Sequence, residues 1–228
     1  MITLYHLEKS RSFRIVWLLE ELKLAYGLDY DLISFNRDNK TYLAPKELKA
    51  IHPMGKAPIL VDDSLPVGEQ ALAESALIIE YLLKTYDREQ KFYPADDKAW
   101  RDYTFWMHFA EGSLMPPLVM GLILSKACEK SPFFAKPIAR KLKDGIGKMI
   151  LNNNVSSALE LIEQSLAKSP WFAGSEFTGA DVQMYFAVAA ARERTVLPSA
   201  MTATRAWLDR CESRAGFIKT VEKVGTVF

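Results

Sequence analysis

Two cysteines in 228 residues, Cys128 and Cys211, form neither a CxxC pair nor a zinc-ligand spacing. Isolated thiols of this kind exclude a disulfide scaffold and read as reduced packing residues. Charge of one sign is also missing. The 29 basic and 28 acidic residues leave a formal charge of +1, which offers no electrostatic footprint for nucleic acid. Long apolar runs are absent as well. The longest, Leu114 to Leu124, is interrupted by Pro116 and Pro117, and a bilayer needs about 20 apolar residues. No membrane span is therefore expected. Met1 leads straight into ITLYHL without a basic and then apolar leader, so the expected location is cytoplasmic. His6 and His108 have no carboxylate or cysteine partners at ligand spacing, and no metal is expected. His52, before Pro53, reads as a loop-packing residue.

What is present is ordinary globular composition, 49% hydrophobic and 25% charged. Ile2 to Leu7 reads as a strand. Ile15, Leu18, Leu19 and Leu22 then follow the i, i+3, i+4, i+7 rule of an amphipathic helix, and Gly27 fits just past its end. Tyr30 to Phe35, Pro58 to Val61 and Gln70 to Ala73 read as three more strands, with a turn at Asp62-Asp63-Ser64. A helix follows with Leu77, Ile78, Tyr81 and Leu82 on its buried side. The first domain spans 1–86. A polar linker punctuated by Tyr93-Pro94 spans 87–97, and an all-helical domain spans 98–228. Pro116-Pro117 should break or kink the long helix that begins near Trp100, because two amide donors are missing. Val155, Ala158, Leu159, Ile162 and Leu166 keep a helical period, as do Phe217, Val221 and Val224.

Thr178-Gly179-Ala180-Asp181 has the form of a capping box, with Asp as a shorter variant of the usual Glu or Gln. Phe177 and Val182 are spaced as its hydrophobic staple. The reading of this segment is structural.

GKAPIL at Gly55 to Leu60 and AES at Ala73 to Ser75 carry the chemistry. Ala57-Pro58 entering a short apolar run makes Pro58 a cis candidate. A cis turn there leaves the Ala57 amide and carbonyl facing outward, able to pair with an extended peptide. Glu74 and Ser75 sit where a helix should begin, which places an anion-accepting helix start beside an acidic side chain. The combination suits a small zwitterionic peptide.

These segments, the YP-containing linker, the helical second half and the TGAD box together resemble a cytosolic glutathione transferase over essentially the whole chain. SRSFRIVWLLEEL, ELKAIHPMGKAPIL, LAES and EGSLMPPL more narrowly resemble the GTT-type branch of fungi and bacteria. The resemblance implies a thioredoxin-like α/β N-terminal domain and an all-α C-terminal domain. It also implies a homodimer with a detoxifying activity: conjugation of glutathione, a co-substrate and not a resident cofactor, to small hydrophobic electrophiles.

A free thiol has a pKa near about 8.5, so the enzyme must stabilise the thiolate. A hydroxyl donor at a helix N-terminus does so by hydrogen bonding and by the positive end of the dipole. Ser10 is the expected donor, because related enzymes place a serine four residues before an arginine that opens the helix, here Arg14. Ser12 and Tyr5 are rivals, and either serine reads equally as a helix cap. Glu74 and Ser75 resemble the pair that holds the γ-glutamyl end. Lys56 resembles a basic residue facing the glycine carboxylate. Its plain alternative is a solvated surface charge. Theta-like relatives carry a histidine roughly where Tyr42-Leu43 stands, so the glycine end departs from pattern. Trp106, Phe109, Leu114 and Met115 are candidates for the electrophile pocket, although an aromatic stripe on a helix is more often core. Two other activities share this fold: a glutathione-dependent peroxidase or thiol reductase, and a noncatalytic glutathione binder. A reductase wants cysteine where Ser10 stands.

Overall fold

Alternation in ITLYHL puts Ile2, Leu4 and His6 on one face of strand β1 (Ile2–Leu7), and all three are buried. The computed structural model describes residues 1–228 except Lys40, Thr195 and the side chain of Ile150. In it β1 lies inside a four-stranded sheet of order β2-β1-β3-β4. β2 (Asp31–Phe35) runs parallel to β1, and β3 (Ile59–Asp62) antiparallel to it. β4 (Ala71–Ala73) pairs antiparallel with β3. All three strands begin one residue later than the sequence suggests. Pro58 lies just outside β3, since a proline has no amide for the ladder. A short helix, α2 (Leu48–Ile51), precedes the Gly55 turn, and the sequence pattern did not disclose it.

Helix α1 (Phe13–Tyr26) crosses from β1 to β2 and ends at Gly27, whose φ of 71° supplies the left-handed cap. Its pattern predicts one apolar stripe, yet every residue from Phe13 to Leu22 is buried. The cause is tertiary: α1 is held between the sheet and two helices of the second half, α8 (Gly179–Glu193) and α10 (Ala215–Val224). The charges this buries are paired. Arg214 grips both Glu21 oxygens at 2.7 and 2.8 Å, and Lys223 reaches Glu20 at 2.6 Å. Helix α3 (Ser75–Tyr86) buries Ile78, Ile79, Leu82 and Leu83. Leu77, expected inside, is 52% exposed. The buried positions run i, i+1, i+4, i+5, so Leu77 falls just outside their arc.

The second half is all helix. α4 (Asp97–Phe109) starts under an Asp96 cap that accepts from Ala99 N at 2.8 Å. The prolines do not break it. The helical run continues through a π segment (Ala110–Leu114) into α5 (Met115–Lys130), with Pro116 and Pro117 in the first turn of α5. Proline cannot bond the carbonyl four residues back, and a wider turn just before the pair absorbs that mismatch. The joined run of 34 residues is long and apolar enough to cross a membrane by length and composition, which the short apolar stretch had not suggested. Within this fold it packs along α8. Then come α6 (Lys136–Ile146), a second π segment (Gly147–Leu151), α7 (Asn152–Leu166), α8, α9 (Thr202–Glu212) and α10. The architecture is a mixed β-sheet domain followed by an all-α domain.

The capping box at the start of α8 is complete. Thr178 Oγ1 accepts from Ala180 N at 3.3 Å, and Asp181 Oδ2 accepts from Thr178 N at 3.0 Å. Gly179 lies against α3. A Cβ there would meet Ile79 Cγ2 at 2.7 Å and Leu83 Cδ1 at 2.8 Å, so only glycine lets the two domains approach this closely.

Candidate functional site

The Ala57-Pro58 peptide bond is cis. Among the described residues neither the amide nor the carbonyl of Ala57 has a hydrogen-bond partner, so both are free at the mouth of β3. Pro58 is buried, Ala57 half-buried and Lys56 exposed.

Between β4 and α3, Glu74 takes φ 76° and ψ 119°, a left-handed conformation that costs a non-glycine residue about 1–3 kcal/mol. Its side chain caps nothing and stands exposed, while its carbonyl accepts from Ile78 N at 3.0 Å. Ser75, by contrast, is only 4% exposed. Its hydroxyl accepts from Arg14 Nη1 at 3.0 Å and donates to Gln183 Oε1 at 3.2 Å.

Arg14 therefore does more than mark the position of Ser10. Its fully buried guanidinium lies 5.2 Å from the Phe186 ring centroid and bonds Glu111 at 2.7 Å. Burial lowers its pKa to about 10, against the pull of Glu111. Arg11 Nε holds the same Glu111 oxygen at 2.8 Å. Burial works to raise the Glu111 pKa, yet the two arginines hold it below the ordinary carboxylate value. Glu111, Gln183, Arg11 and Phe186 were not singled out by sequence reasoning. Glu111 does lie in EGSLMPPL, but nothing local to that segment says it will meet the first turn of α1.

Ser10 lies in the middle of the turn between β1 and α1, and Phe13 N donates to its carbonyl at 3.2 Å. Its hydroxyl donates to Leu7 O at 2.8 Å and lies 2.7 Å from Ser12 Oγ. Ser12 is deeper. Its Oγ accepts from Leu7 N at 3.0 Å and sits 2.8 Å from His6 Nδ1. Ser12 has helical backbone angles and its side chain does not cap α1. With Ser10 7% exposed and Ser12 fully buried, Ser10 is the serine nearer the surface. Burial pushes the His6 imidazole down to about 4, with Glu8 opposing, so the ring is neutral at physiological pH. Tyr5 stands opposite Ile59 and Ile33 within the sheet, its ring 6.4 Å from that of Phe35.

An open cleft of about 360 Å³ adjoins Arg11 and Glu111, walled by Met115, Pro116, Val119, Met120 and Ile123. Of the four pocket candidates only Met115 lines it. Trp106, Phe109 and Leu114 lie in the core, with the Trp106 ring 4.5 Å from Phe172 and 5.0 Å from Phe109. A larger cavity of about 620 Å³ on another side of α5, lined by Leu118, Leu122, Leu151 and Val155, has neither Arg11 nor Glu111 in its wall.

At the other candidate positions, Tyr42 and Leu43 are exposed at 68% and 66%. Arg37 ties that loop to the Ser10 turn through Tyr42 O at 3.0 Å and Lys9 O at 3.2 Å. His52 Nδ1 accepts from Met54 N at 3.3 Å, a loop contact. Among the described residues no group of three or more His, Cys, Asp or Glu side chains is arranged to hold a metal ion. The parts converge where α1, α3 and the α4–α5 run meet. They are an unpaired backbone edge, an acid beside a helix start, a hydroxyl at the opening of α1, and an apolar cleft.

Known proteins match this chain over nearly its whole length. Residues 4–90 match the glutathione S-transferase N-terminal domain family, and residues 126–215 the glutathione S-transferase C-terminal domain family. Glutathione S-transferase 3 of Schizosaccharomyces pombe is 35% identical, covering 98% of this chain and 88% of its own. Glutathione S-transferase 1 of Saccharomyces cerevisiae is 32% identical over 98% and 95% of the two chains. The crystal structure of a glutathione S-transferase from Actinobacillus pleuropneumoniae superposes with a TM-score of 0.76 at 32% identity, covering 98% of this chain and 93% of its own. With both domain families matched and these identities held over nearly the whole chain, this chain belongs to the glutathione S-transferase family.

Proposed function

We propose that the protein conjugates the glutathione thiolate to small hydrophobic electrophiles, the chemistry also expected of a GTT-type enzyme. The observation that carries this reading is the Ser10 hydroxyl, set just before α1 in the same loop turn whose Arg11 walls an apolar cleft. Glutathione pairs its cysteinyl backbone with Ala57 beside cis-Pro58. Glu74 accepts from the γ-glutamyl ammonium, while Ser75 and the first amides of α3 take the carboxylate. Lys56 faces the glycine carboxylate. Ser10 donates to the thiolate, whose lone pair forms the new sulfur–carbon bond as the electrophile's leaving group departs with its electron pair. Met115 lines the electrophile cleft, and Trp106, Phe109 and Leu114 back it from the core. No part of the reaction needs a metal or a resident cofactor. The same reading takes the protein to be a cytoplasmic homodimer that neither binds nucleic acid nor spans a membrane, and sedimentation equilibrium tests the dimer.

A reductase would need a reactive thiol. The Cys211 thiol is pushed well up by burial and by Asp181, which leaves it inert, and Cys128 sits on α5 away from the Ser10 turn. Conjugation of a generic aryl halide, run beside retention on immobilised glutathione, tests the proposal. Retention with no turnover would replace it by the noncatalytic reading.

Glu74→Ala should weaken glutathione binding about ten- to a hundredfold, the usual cost of losing one partner of a charged hydrogen bond. Turnover at saturation should fall much less, since Glu74 is remote from sulfur and acts alike on ground and transition states. Titration calorimetry on the folded variant reads this, and equal affinities would remove Glu74 from the site. Ile123→Asp should lower kcat/KM for an apolar electrophile by about tenfold or more while the glutathione Kd holds, because it places a charge in the cleft wall. An unchanged kcat/KM would place the electrophile elsewhere, with the larger cavity the next site to probe.

A further inference from the structure

His6 takes no part in the reaction described so far, yet it is 3% exposed and one hydroxyl away from Ser10. A histidine on the core face of a central strand gives up hydration that an apolar residue would not miss. Its recorded hydrogen bond among the described residues is Nδ1 to Ser12 Oγ.

The hydrogen count of this cluster is informative. A hydroxyl has one proton to give and two lone pairs to receive. Ser12 Oγ has four polar neighbours: Leu7 N at 3.0 Å, His6 Nδ1 at 2.8 Å, Ser10 Oγ at 2.7 Å and Leu7 O at 3.1 Å. Ser10 Oγ has three: Ser12 N at 3.2 Å, Ser12 Oγ, and Leu7 O at 2.8 Å. A neutral imidazole places its single proton on Nδ1 or on Nε2. With the proton on Nε2, Ser12 gives its own proton to Nδ1. Ser12 Oγ then has a lone pair free to absorb the Ser10 proton, which turns the Ser10 hydroxyl inward. With the proton on Nδ1, both Ser12 lone pairs are taken, by Leu7 N–H and by His6 Nδ1–H. Ser12 can then only donate, and Ser10 Oγ lies 2.7 Å away to receive. Ser10 Oγ, filled by the Ser12 amide and the Ser12 hydroxyl, keeps its proton for Leu7 O or for a ligand. Donors in series also polarise one another, so the last O–H is the stronger donor.

We propose that His6 is a positioning residue that, with its proton on Nδ1, acts through Ser12 to aim the Ser10 hydroxyl at the glutathione sulfur. This rests on the reading of Ser10 as the thiolate donor. It adds a residue that touches neither substrate, held on β1 and joined to the sulfur site by two hydroxyls. Binding of the thiolate draws the Ser10 proton away from Leu7 O, and the Nδ1–H tautomer makes Ser12 the group that supports it.

The test reads the thiol pKa of glutathione in the enzyme complex by ultraviolet titration, with Ser10→Ala as the internal reference. His6→Leu should raise that pKa by about half a unit to one unit, with glutathione affinity changed less than about twofold. His6→Asn carries an amide nitrogen where Nδ1 stands and should recover most of the shift. A residue that merely packs would not be rescued in this way and would not move the thiol. If Ser10→Ala raises the thiol pKa and His6→Leu does not, the relay is wrong and the donor reading stands. If Ser10→Ala itself leaves the pKa unchanged, the donor reading fails and the relay falls with it. Should His6→Leu not fold, long-range proton–nitrogen correlation on the parent protein with glutathione bound decides the matter. With only three histidines the spectrum is assignable. An Nδ1–H signal for His6 is expected, and an Nε2–H tautomer overturns the proposal.

Discussion

Ser10→Ala is expected to slow conjugation by about 10²–10³-fold, the usual loss when one preorganised donor to developing negative charge is removed. Glutathione affinity should change far less, because the proposed contacts lie away from sulfur, at Ala57 for the backbone, Glu74 and Ser75 for the γ-glutamyl end and Lys56 for the glycine end. The physical readout is the bound thiol. Without the hydroxyl, only the α1 dipole and the local amides favour the anion, so the thiol pKa should rise toward the free value near about 8.5. The surroundings favour Ser10 over its rivals. Ser12 is fully buried and already bonded to Leu7 and His6, and Tyr5 is engaged within the sheet. Removing the Ser10 hydroxyl leaves the Ser12 amide at 3.2 Å without its acceptor, while the Ser12 hydroxyl has Leu7 O at 3.1 Å to turn to, so the fold should survive. An unchanged thiol pKa and rate in Ser10→Ala, together with a raised pKa in Tyr5→Phe, would transfer the role to Tyr5.

Asp181→Ala should be the most damaging substitution for stability, at about 3 kcal/mol or more, since each buried donor left without an acceptor costs about 1–3 kcal/mol. Four such donors depend on it: Phe172 N at 3.1 Å, Thr178 N at 3.0 Å, Trp207 Nε1 at 2.9 Å and, more weakly, Thr178 Oγ1 at 3.4 Å. The carboxylate thus closes the α8 cap and also ties α9 and the loop before α8 to it. Total stabilities of about 5–15 kcal/mol leave little margin for such a loss. Urea denaturation measures it, and a cost below about 1 kcal/mol would reduce Asp181 to an ordinary cap.

The same residue sets a pH dependence. Burial raises the Asp181 carboxyl from 3.8 to about 6, against its hydrogen bonds. A carboxyl raised in the fold binds its proton more tightly there than in the unfolded chain. Its contribution to stability is therefore fully present below pH 3.8 and lost as pH rises through about 6. Asp181→Asn cannot titrate. The stability of the parent relative to Asp181→Asn should fall between about pH 4 and pH 6.5 and be flat above. A difference independent of pH would show that the carboxyl keeps its ordinary value.

Several backbone features of the fold were legible in sequence because each has a local cause. The cis bond needs a proline, the α1 cap needs Gly27, and the box at α8 needs Thr178 three residues before Asp181. What went unread depends on residues far apart in the chain. Glu111 meets Arg11 and Arg14 across about a hundred positions, and Gln183 meets Ser75 across 108. No periodicity rule carries that information. The aromatic stripe on α4 illustrates the limit. Trp106 and Phe109 have the right type and spacing for a pocket, but in the fold Trp106 packs on Phe172 and Phe109 on Trp106, both buried.

By itself, then, the sequence determined the order of elements, the cis turn before β3, and the caps of α1 and α8. Short-range sterics, capping and alternation decide those, and they act within a few residues of one another. Tertiary structure alone decided how α1 is buried on every side and which face of α5 opens as the cleft. It decided too that a wider helical turn would absorb Pro116-Pro117. These outcomes follow from packing between elements distant in sequence, where the burial of a charge or a ring is settled by whichever partner arrives on the other side.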